Sequence, residues 1–202
     1  MLLSSKQYAF IDGNSIMKKY KKTLTFYEWV EAIVIGIALV FFLFTFIVSG
    51  YTVQGISMNP TLNDDDRLII SLIYPNPKQG DIVVFSQPNH LNEEEDTKRL
   101  FKRIVAVEGD LVDIDFETGI VYLNGKALDE PYVMEPTYTN GVAPMNFPMR
   151  IEKGNVFVMG DNRNQSRDSR DQSVGQVDVR YLKGRAIMKF WPLGEMEFYG
   201  FF

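Results

Sequence analysis

The chain has no cysteine and a single histidine, His90. The first absence excludes disulfides, thiolate metal sites and any Cys-His catalytic pair. It does not locate the protein, because an exported domain can rely on packing alone. The second nearly excludes a Ser-His-Asp relay, which needs a histidine held rigidly by a carboxylate. His90 stands in a polar, acidic stretch, Gln-Pro-Asn-His-Leu-Asn-Glu-Glu-Glu-Asp at 87–96, and the charge run inside it reads as a solvated loop tip. An excess of positive charge is missing too. The formal net charge is −5, so nucleic acid, which wants a basic face, is not an expected partner.

One region lacks charge altogether: no charged residue occurs between Glu31 and Asp64. It contains an unbroken apolar run of 17 residues (48 − 32 + 1) at 32–48. With Trp29 and Val30 before it and Ser-Gly-Tyr-Thr-Val after it, the run reaches the roughly 20 residues that cross a hydrocarbon core. Tyr27 and Trp29 at one end and Tyr51 at the other suit interfacial aromatic belts. Lys18, Lys19, Lys21 and Lys22 flank the run on one side, whereas Asp64, Asp65 and Asp66 are the first charges on the other. The positive-inside bias then predicts a cytoplasmic segment at 1–28, a transmembrane helix at 29–50 and an extracytoplasmic domain at 51–202. A cleaved secretory signal fits less well, since its apolar core is usually about 7–15 residues. A buried core helix would show an apolar stripe, and this segment is apolar on every face.

Beyond the anchor the pattern changes to short runs rich in β-branched and aromatic residues, at 51–53, 67–73, 81–85, 100–107, 111–115, 120–123, 155–159 and 185–191. Turn formers separate them, and Asn124-Gly125 between Val-Tyr-Leu and Lys-Ala-Leu is a two-residue hairpin signal. The expected fold class is mainly β: an antiparallel sheet or barrel-like domain of 152 residues (202 − 51 + 1) after one N-terminal helix. Residues 126–153 carry four prolines (131, 136, 144 and 148) and few strand signals, and are expected to form an irregular excursion. The aromatic tail at 196–202 reads either as a final strand or as a segment that dips into the membrane interface.

Chemistry concentrates in two places. Gly-Ile-Ser-Met-Asn-Pro-Thr-Leu at 55–62 offers a serine nucleophile, Ser57, just past the apolar run. Lys102, 45 positions on (102 − 57), lies between Leu100, Phe101, Ile104 and Val105. A serine hydroxyl is weak until a neighbour takes its proton, and lysine can do that only when neutral. Its unperturbed pKa is about 10.4, and reaching about 8 costs the ammonium form roughly 3 kcal/mol, which burial can supply. Read alone, Ser57 is a turn serine before Asn-Pro and Lys102 a lysine extending to water from an edge strand. Read together behind an anchor, they are a nucleophile and its base.

These residues resemble a known family, the bacterial type I signal peptidases, membrane-bound Ser/Lys endopeptidases. Ser-Met-Asn-Pro-Thr-Leu at 57–62 is similar to the family's nucleophile box, and Gly-Asp-Ile-Val-Val-Phe at 80–85 to its next core strand. Lys-Arg-Ile-Val-Ala-Val-Glu-Gly-Asp at 102–110 resembles the general-base box, with Ala106 and Glu108 where Gly and Pro are usual. Gly-Asp-Asn-Arg-Asn-Gln-Ser-Arg-Asp-Ser-Arg at 160–170, with Gly175 beyond, resembles the last box. The resemblance implies that Ser57 attacks and Lys102 is the base. It implies that Ser166 hydrogen-bonds the Lys102 amine, that Asp168 and Arg170 pair, and that Asp161 pairs with Arg103. Tyr51, Val53, Met58, Leu68 and Phe101 match positions lining shallow pockets for small side chains, and the plain alternative for them is core packing. Some relatives carry a serine two positions before the nucleophile that helps bind the oxyanion; this chain has Gly55, leaving the backbone N–H of Ser57.

The resemblance implies no cofactor and no metal; the spacing of Asp161, Asp168 and Asp171 lacks an EF-hand register. It implies a cell-membrane location, the lipid bilayer as surroundings, and secreted preproteins with Ala-X-Ala-like cleavage sites as substrates. Oligomeric state is not legible. Two other readings stand beside it. Signal-peptidase-like proteins that assist assembly of a surface polymer typically lose the serine or the lysine, and this chain keeps both. Self-cleaving Ser/Lys repressor-type proteases are soluble, and the anchor argues against one.

Overall fold

A computed structural model describes residues 13–86 and 99–199. The loop holding His90 and the acidic run, and the last three residues of the aromatic tail, lie outside them. The chain divides into two compact units, meeting in sequence between Thr45 and Phe46. The first holds the α-helix Gly13–Phe46 (α1), within which Thr25–Phe46 is long and apolar enough to cross a membrane. At about 1.5 Å per residue those 22 residues rise about 33 Å. The helix therefore differs from the expected span at 29–50. It begins earlier, in a stretch without Pro, and it stops four residues sooner (50 − 46). Val48–Thr52, rich in β-branched and aromatic residues, is taken by a strand ladder instead.

The second unit is mainly antiparallel β, as the runs of β-branched and aromatic residues predict. Its strands are Val48–Thr52 (β1), Arg67–Ser71 (β2), Ile82–Phe85 (β3), Leu100–Ala106 (β4), Leu111–Asp115 (β5), Ile120–Leu123 (β6), Lys126–Ala127 (β7), Met149–Arg150 (β8), Asn155–Met159 (β9), Val177–Asp178 (β10), Leu182–Trp191 (β11) and Glu197–Phe198 (β12). The main sheet runs β1-β2-β11-β3-β4-β9-β10, with β12 on the side of β11. A smaller sheet runs β7-β6-β5-β8. The β6–β7 hairpin turns on Asn124 (φ 53°) and Gly125 (φ 78°), the left-handed pair that an Asn-Gly turn supplies. Two strands were not legible beforehand, β8 and β10; each is two residues long, too short for any periodicity. Within the described part of the tail, Glu197–Phe198 forms the final strand β12, one of its two expected readings.

Strand β4 is paired on both sides, by β3 and β9. Every residue from Phe101 to Ala106 is buried. Adjacent Lys102 and Arg103 therefore point to opposite faces of a fully covered strand.

The excursion expected at 126–153 starts and ends in strands of the small sheet, β7 and β8. Its irregular middle is stapled to the segment 160–172. Arg163, 1% exposed, donates from Nη1 and Nη2 to Glu130 (2.9 and 2.6 Å) and from Nη1 to Thr137 Oγ1 (3.1 Å). Arg170 Nη1 donates to Thr139 O (2.7 Å). Asp171 Oδ2 accepts from the N–H groups of Val142 and Ala143 (2.8 and 3.1 Å). The excursion is thus a strap held by charge-assisted bonds rather than by a core of its own.

Removing Arg163 leaves the Glu130 carboxylate mostly buried and unpaired, which costs about 3 kcal/mol. Arg163→Met is expected to lower the melting temperature of the chain in detergent by about 10 °C and to open 128–148 to limited proteolysis. An unchanged melting curve and digestion pattern would show that the staple contributes nothing.

Candidate active site

Ser57 sits in the loop between β1 and β2. Two buried side chains, Met58 and Leu62, anchor that loop in the core cluster formed with Val53, Leu68, Ile70, Ile82, Val84, Phe101 and Ala186. Backbone bonds close it: Val53 N–H to Asp66 O (2.8 Å), Asp65 N–H to Val53 O (3.1 Å) and Leu62 N–H to Met58 O (2.9 Å). Gly55 has φ +85°, where a side chain is strained. Its N–H donates to Asp64 Oδ1 (2.7 Å). Backbone geometry thus favours glycine at the place where some relatives carry serine. Ser57 itself is half-buried, and its own N–H has no hydrogen-bond partner among the described residues.

Lys102 comes from the middle of β4 and is 2% exposed. Its Nζ lies 2.7 Å from Ser57 Oγ and 2.9 Å from Phe101 O. Burial lowers the amine's pKa from its ordinary 10.5 to about 8, against the pull of the Asp168 and Asp161 carboxylates and with the help of the Arg170 and Arg167 guanidinium groups. The carboxylates fail to hold the proton because each is spent on another cation. Asp168 accepts from Arg170 Nε and Nη2 (both 2.8 Å) and from the N–H of Gly160 (2.9 Å). Burial pushes the Asp168 carboxyl up, but the Arg170 guanidinium outweighs it and holds the group below the usual carboxylate range. Asp161 accepts from Arg103 Nε (2.9 Å) and Nη2 (2.6 Å) and from Thr61 Oγ1 (2.6 Å). Arg103 also donates to Gly80 O (2.9 Å) and lies 4.0 Å from the Tyr132 ring of the strap.

The segment after β9 closes over the loop. A Cβ built on Gly160 would overlap Ser57 O and the Ser166 side chain, so no larger residue fits there. Of the residues singled out in the sequence, the structure brings together Ser57 and Lys102, Arg103 and Asp161, and Asp168 and Arg170. No hydrogen bond joins Ser166 to the Lys102 amine. The amine donates to Ser57 Oγ and Phe101 O, while the Ser166 hydroxyl is buried beside Gly160. Val53, Met58, Leu68 and Phe101 are all at most 5% exposed. They form the core under the nucleophile's loop rather than open pocket walls, because apolar side chains alternating inward on paired strands pack against one another. Tyr51 alone of that group stays half-exposed, with its ring edge-on to Phe101 at 6.5 Å between centroids.

Several contributors were not singled out from sequence. Thr61 and Asn162 lie inside the quoted motifs and carried a readable signal, a hydroxyl and an amide beside assigned residues. Glu130 and Tyr132 had none, since they reach Arg163 and Arg103 across 33 and 29 positions (163 − 130 and 132 − 103) of irregular chain.

Comparison with known proteins bears on this geometry. The sequence model of one family, described as "Signal peptidase, peptidase S26", matches residues 26–191. Signal peptidase I of Bacillus licheniformis is 33% identical over 188 residues, covering 89% of this chain and 96% of that protein. Signal peptidase IB of Staphylococcus aureus is 34% identical over 187 residues, covering 85% and 92%. A solved signal peptidase I from Enterococcus faecalis is 27% identical, with a TM-score of 0.42, over 55% of this chain and 96% of that one. With a family match across most of its length and relatives a third identical end to end, the chain belongs to the signal peptidase family, peptidase S26.

Proposed function

We propose that the chain is a membrane-anchored signal peptidase that removes N-terminal signal peptides from exported preproteins, with Ser57 as nucleophile and Lys102 as general base. The observation that carries the reading is the 2.7 Å approach of Ser57 Oγ to a buried amine whose pKa falls to about 8. With the amine neutral, the Ser57 hydroxyl donates to its lone pair while an amine N–H donates to Phe101 O. Lys102 takes the hydroxyl proton as Oγ bonds to the scissile carbonyl carbon. The oxyanion that forms is met by the free N–H of Ser57. The ammonium then protonates the leaving nitrogen as the C–N bond breaks, giving an acyl-enzyme. Lys102 next takes a proton from water; the hydroxide displaces Ser57 Oγ, which recovers that proton. Asp168–Arg170 and Asp161–Arg103 keep the nearby carboxylates occupied, so that neither serves as a counter-ion to the amine.

The topology belongs to the same reading. Residues 1–28 are cytoplasmic, the apolar part of α1 spans the bilayer, and the catalytic unit is extracytoplasmic. Only a short stretch of chain separates that helix from Ser57, which suits a cut made where a preprotein emerges. Small side chains one and three places before the cut, of the Ala-X-Ala kind, are the ones this reading expects beside Ser57, whose loop rests on the buried Met58, Leu68 and Phe101 with Tyr51 half-exposed.

The pH dependence has a definite sign. The active form is the neutral amine, so kcat/KM is expected to rise about tenfold per pH unit up to about pH 8 and level off above it. Lys102→Arg is expected to be inactive, because guanidinium does not deprotonate. Peptide cleavage assays across pH check both; a flat profile, or substantial cleavage by Lys102→Arg, would remove Lys102 from the mechanism. Stability carries the same signature. Because the folded pKa lies below the unfolded one, the stabilisation is complete above about 10.5 and lost as pH falls through about 8. Lys102→Met is therefore expected to raise the unfolding free energy at pH 7 by about 1–3 kcal/mol, read by denaturant titration. A destabilised variant would contradict the strained-amine account.

A further inference from the structure

The proposed reaction leaves one question open: what aims the Ser57 N–H. With Gly55 lacking a side chain and its own N–H tied to Asp64, that single amide is the oxyanion donor the loop offers. A peptide unit is planar, so the direction of an N–H is set by the carbonyl of the residue before it. The carbonyl that shares a plane with the Ser57 N–H is Ile56 O. It accepts from Asn162 Nδ2 (3.1 Å) and from the Asn59 N–H (3.2 Å). The next peptide unit is held by the same residue, since the Asn162 backbone N–H donates to Ser57 O (3.0 Å). Asn162 thus grips both peptide planes that flank the nucleophile, from more than 100 positions away in sequence.

We infer that Asn162 is the positioning residue of the oxyanion site: its side-chain amide fixes the Ile56–Ser57 peptide plane so that the Ser57 N–H points at the developing oxyanion. The inference rests on the serine–lysine reading. The side-chain atom that faces Ile56 O must be the NH₂ group, because a carbonyl oxygen only accepts. An aspartate there would set a carboxylate oxygen against the carbonyl and push the plane away. In a trans peptide the C=O and N–H point in opposite directions. Two donors pulling Ile56 O toward Asn162 and Asn59 therefore turn the Ser57 N–H to the other side, where it stays free.

Asn162 is itself held from the far side. It precedes the 3₁₀ turn Arg163–Gln165, and its carbonyl accepts from the Gln165 N–H (3.1 Å). Arg163 Nε donates to Gly160 O (2.9 Å) while its other nitrogens bind Glu130 and Thr137. The strap at 128–148 therefore bears on the oxyanion donor through a short relay: Glu130, Arg163, the turn, Asn162 and the Ile56 carbonyl. The Lys102 amine is not on that path, so an uncharged substitution at Asn162 alters the donor without altering the base.

The test uses the full chain purified in detergent, a peptide carrying an Ala-X-Ala site, and a peptide aldehyde that forms a hemiacetal oxyanion on Ser57. Asn162→Leu, an uncharged side chain of similar size with no donor, with Asn162→Ala beside it should the leucine unfold the loop, is expected to lose on the order of 100-fold in kcat, the scale of one misplaced oxyanion donor. KM is expected to stay within about threefold. The aldehyde's inhibition constant should rise by the same factor by which kcat/KM falls, and the pH midpoint should stay at the wild-type value. A purely structural role would not produce that pattern. Variants that keep wild-type kcat, or lose it with unchanged aldehyde affinity, or shift the pH midpoint in step with the loss, would overturn the assignment of Asn162 alone. A wild-type chain with no Lys102-dependent cleavage would overturn the serine–lysine reading and this inference with it.

Discussion

The structure turns on an amine kept out of water. Lys102 places its amine 2.7 Å from the nucleophile's hydroxyl, and it is useful there only without its proton. Moving its pKa from 10.5 to about 8 costs the ammonium form about 3 kcal/mol. That is a sizeable fraction of a domain's net stability, typically about 5–15 kcal/mol. The cost is met by placing the residue inside the main sheet, on a strand paired from both sides, where Lys102 is 2% exposed. An edge strand, the ordinary home of a lysine among apolar neighbours, would let the amine reach solvent and keep its proton.

Burial alone would not suffice, because two carboxylates lie close enough to favour the ammonium. The fold answers each with an arginine. Asp168 is paired with Arg170 and Asp161 with Arg103, all four at most 9% exposed. Adjacent residues on one strand are thus treated in opposite ways. Arg103 is charged and fully paired; Lys102 is left with a hydroxyl and a carbonyl. The strap completes the arrangement from outside. Its Glu130, Tyr132 and Thr139 bind Arg163, Arg103 and Arg170 in turn. The segment that carries no chemistry of its own thereby holds the three guanidinium groups around the site in place.

Much of this was legible in the chain before any coordinates. Runs of β-branched and aromatic residues mark the longer strands because such side chains fit a pleated, covered surface, and Asn124-Gly125 marks its hairpin because both residues accept a positive φ. Ser57 and Lys102 stood out because each is anomalous where it occurs, a serine in a short loop beside a membrane-length run and a lysine in an apolar strand. What escaped notice depends on long-range contact. Glu130 and Arg163 meet through irregular chain with no period to read. The end of α1 was placed four residues late because Val48–Thr52 is as free of charge as the helix, and only its partner strand β2 shows that it is extended. Ser166 was expected to hydrogen-bond the amine, yet the amine bonds Ser57 Oγ and a backbone carbonyl one residue away, and sequence carries no record of such a contact.

The central claim is a statement about one proton, and it is measured most directly by titrating Lys102 itself. The chain labelled with ¹³C at lysine Cε, with the Lys102 signal assigned by its loss in Lys102→Met, reports the charge on the amine as pH is varied. The account predicts a midpoint near 8. A midpoint at the ordinary value of 10.5 would mean that the amine is charged at neutral pH and cannot take the proton of Ser57.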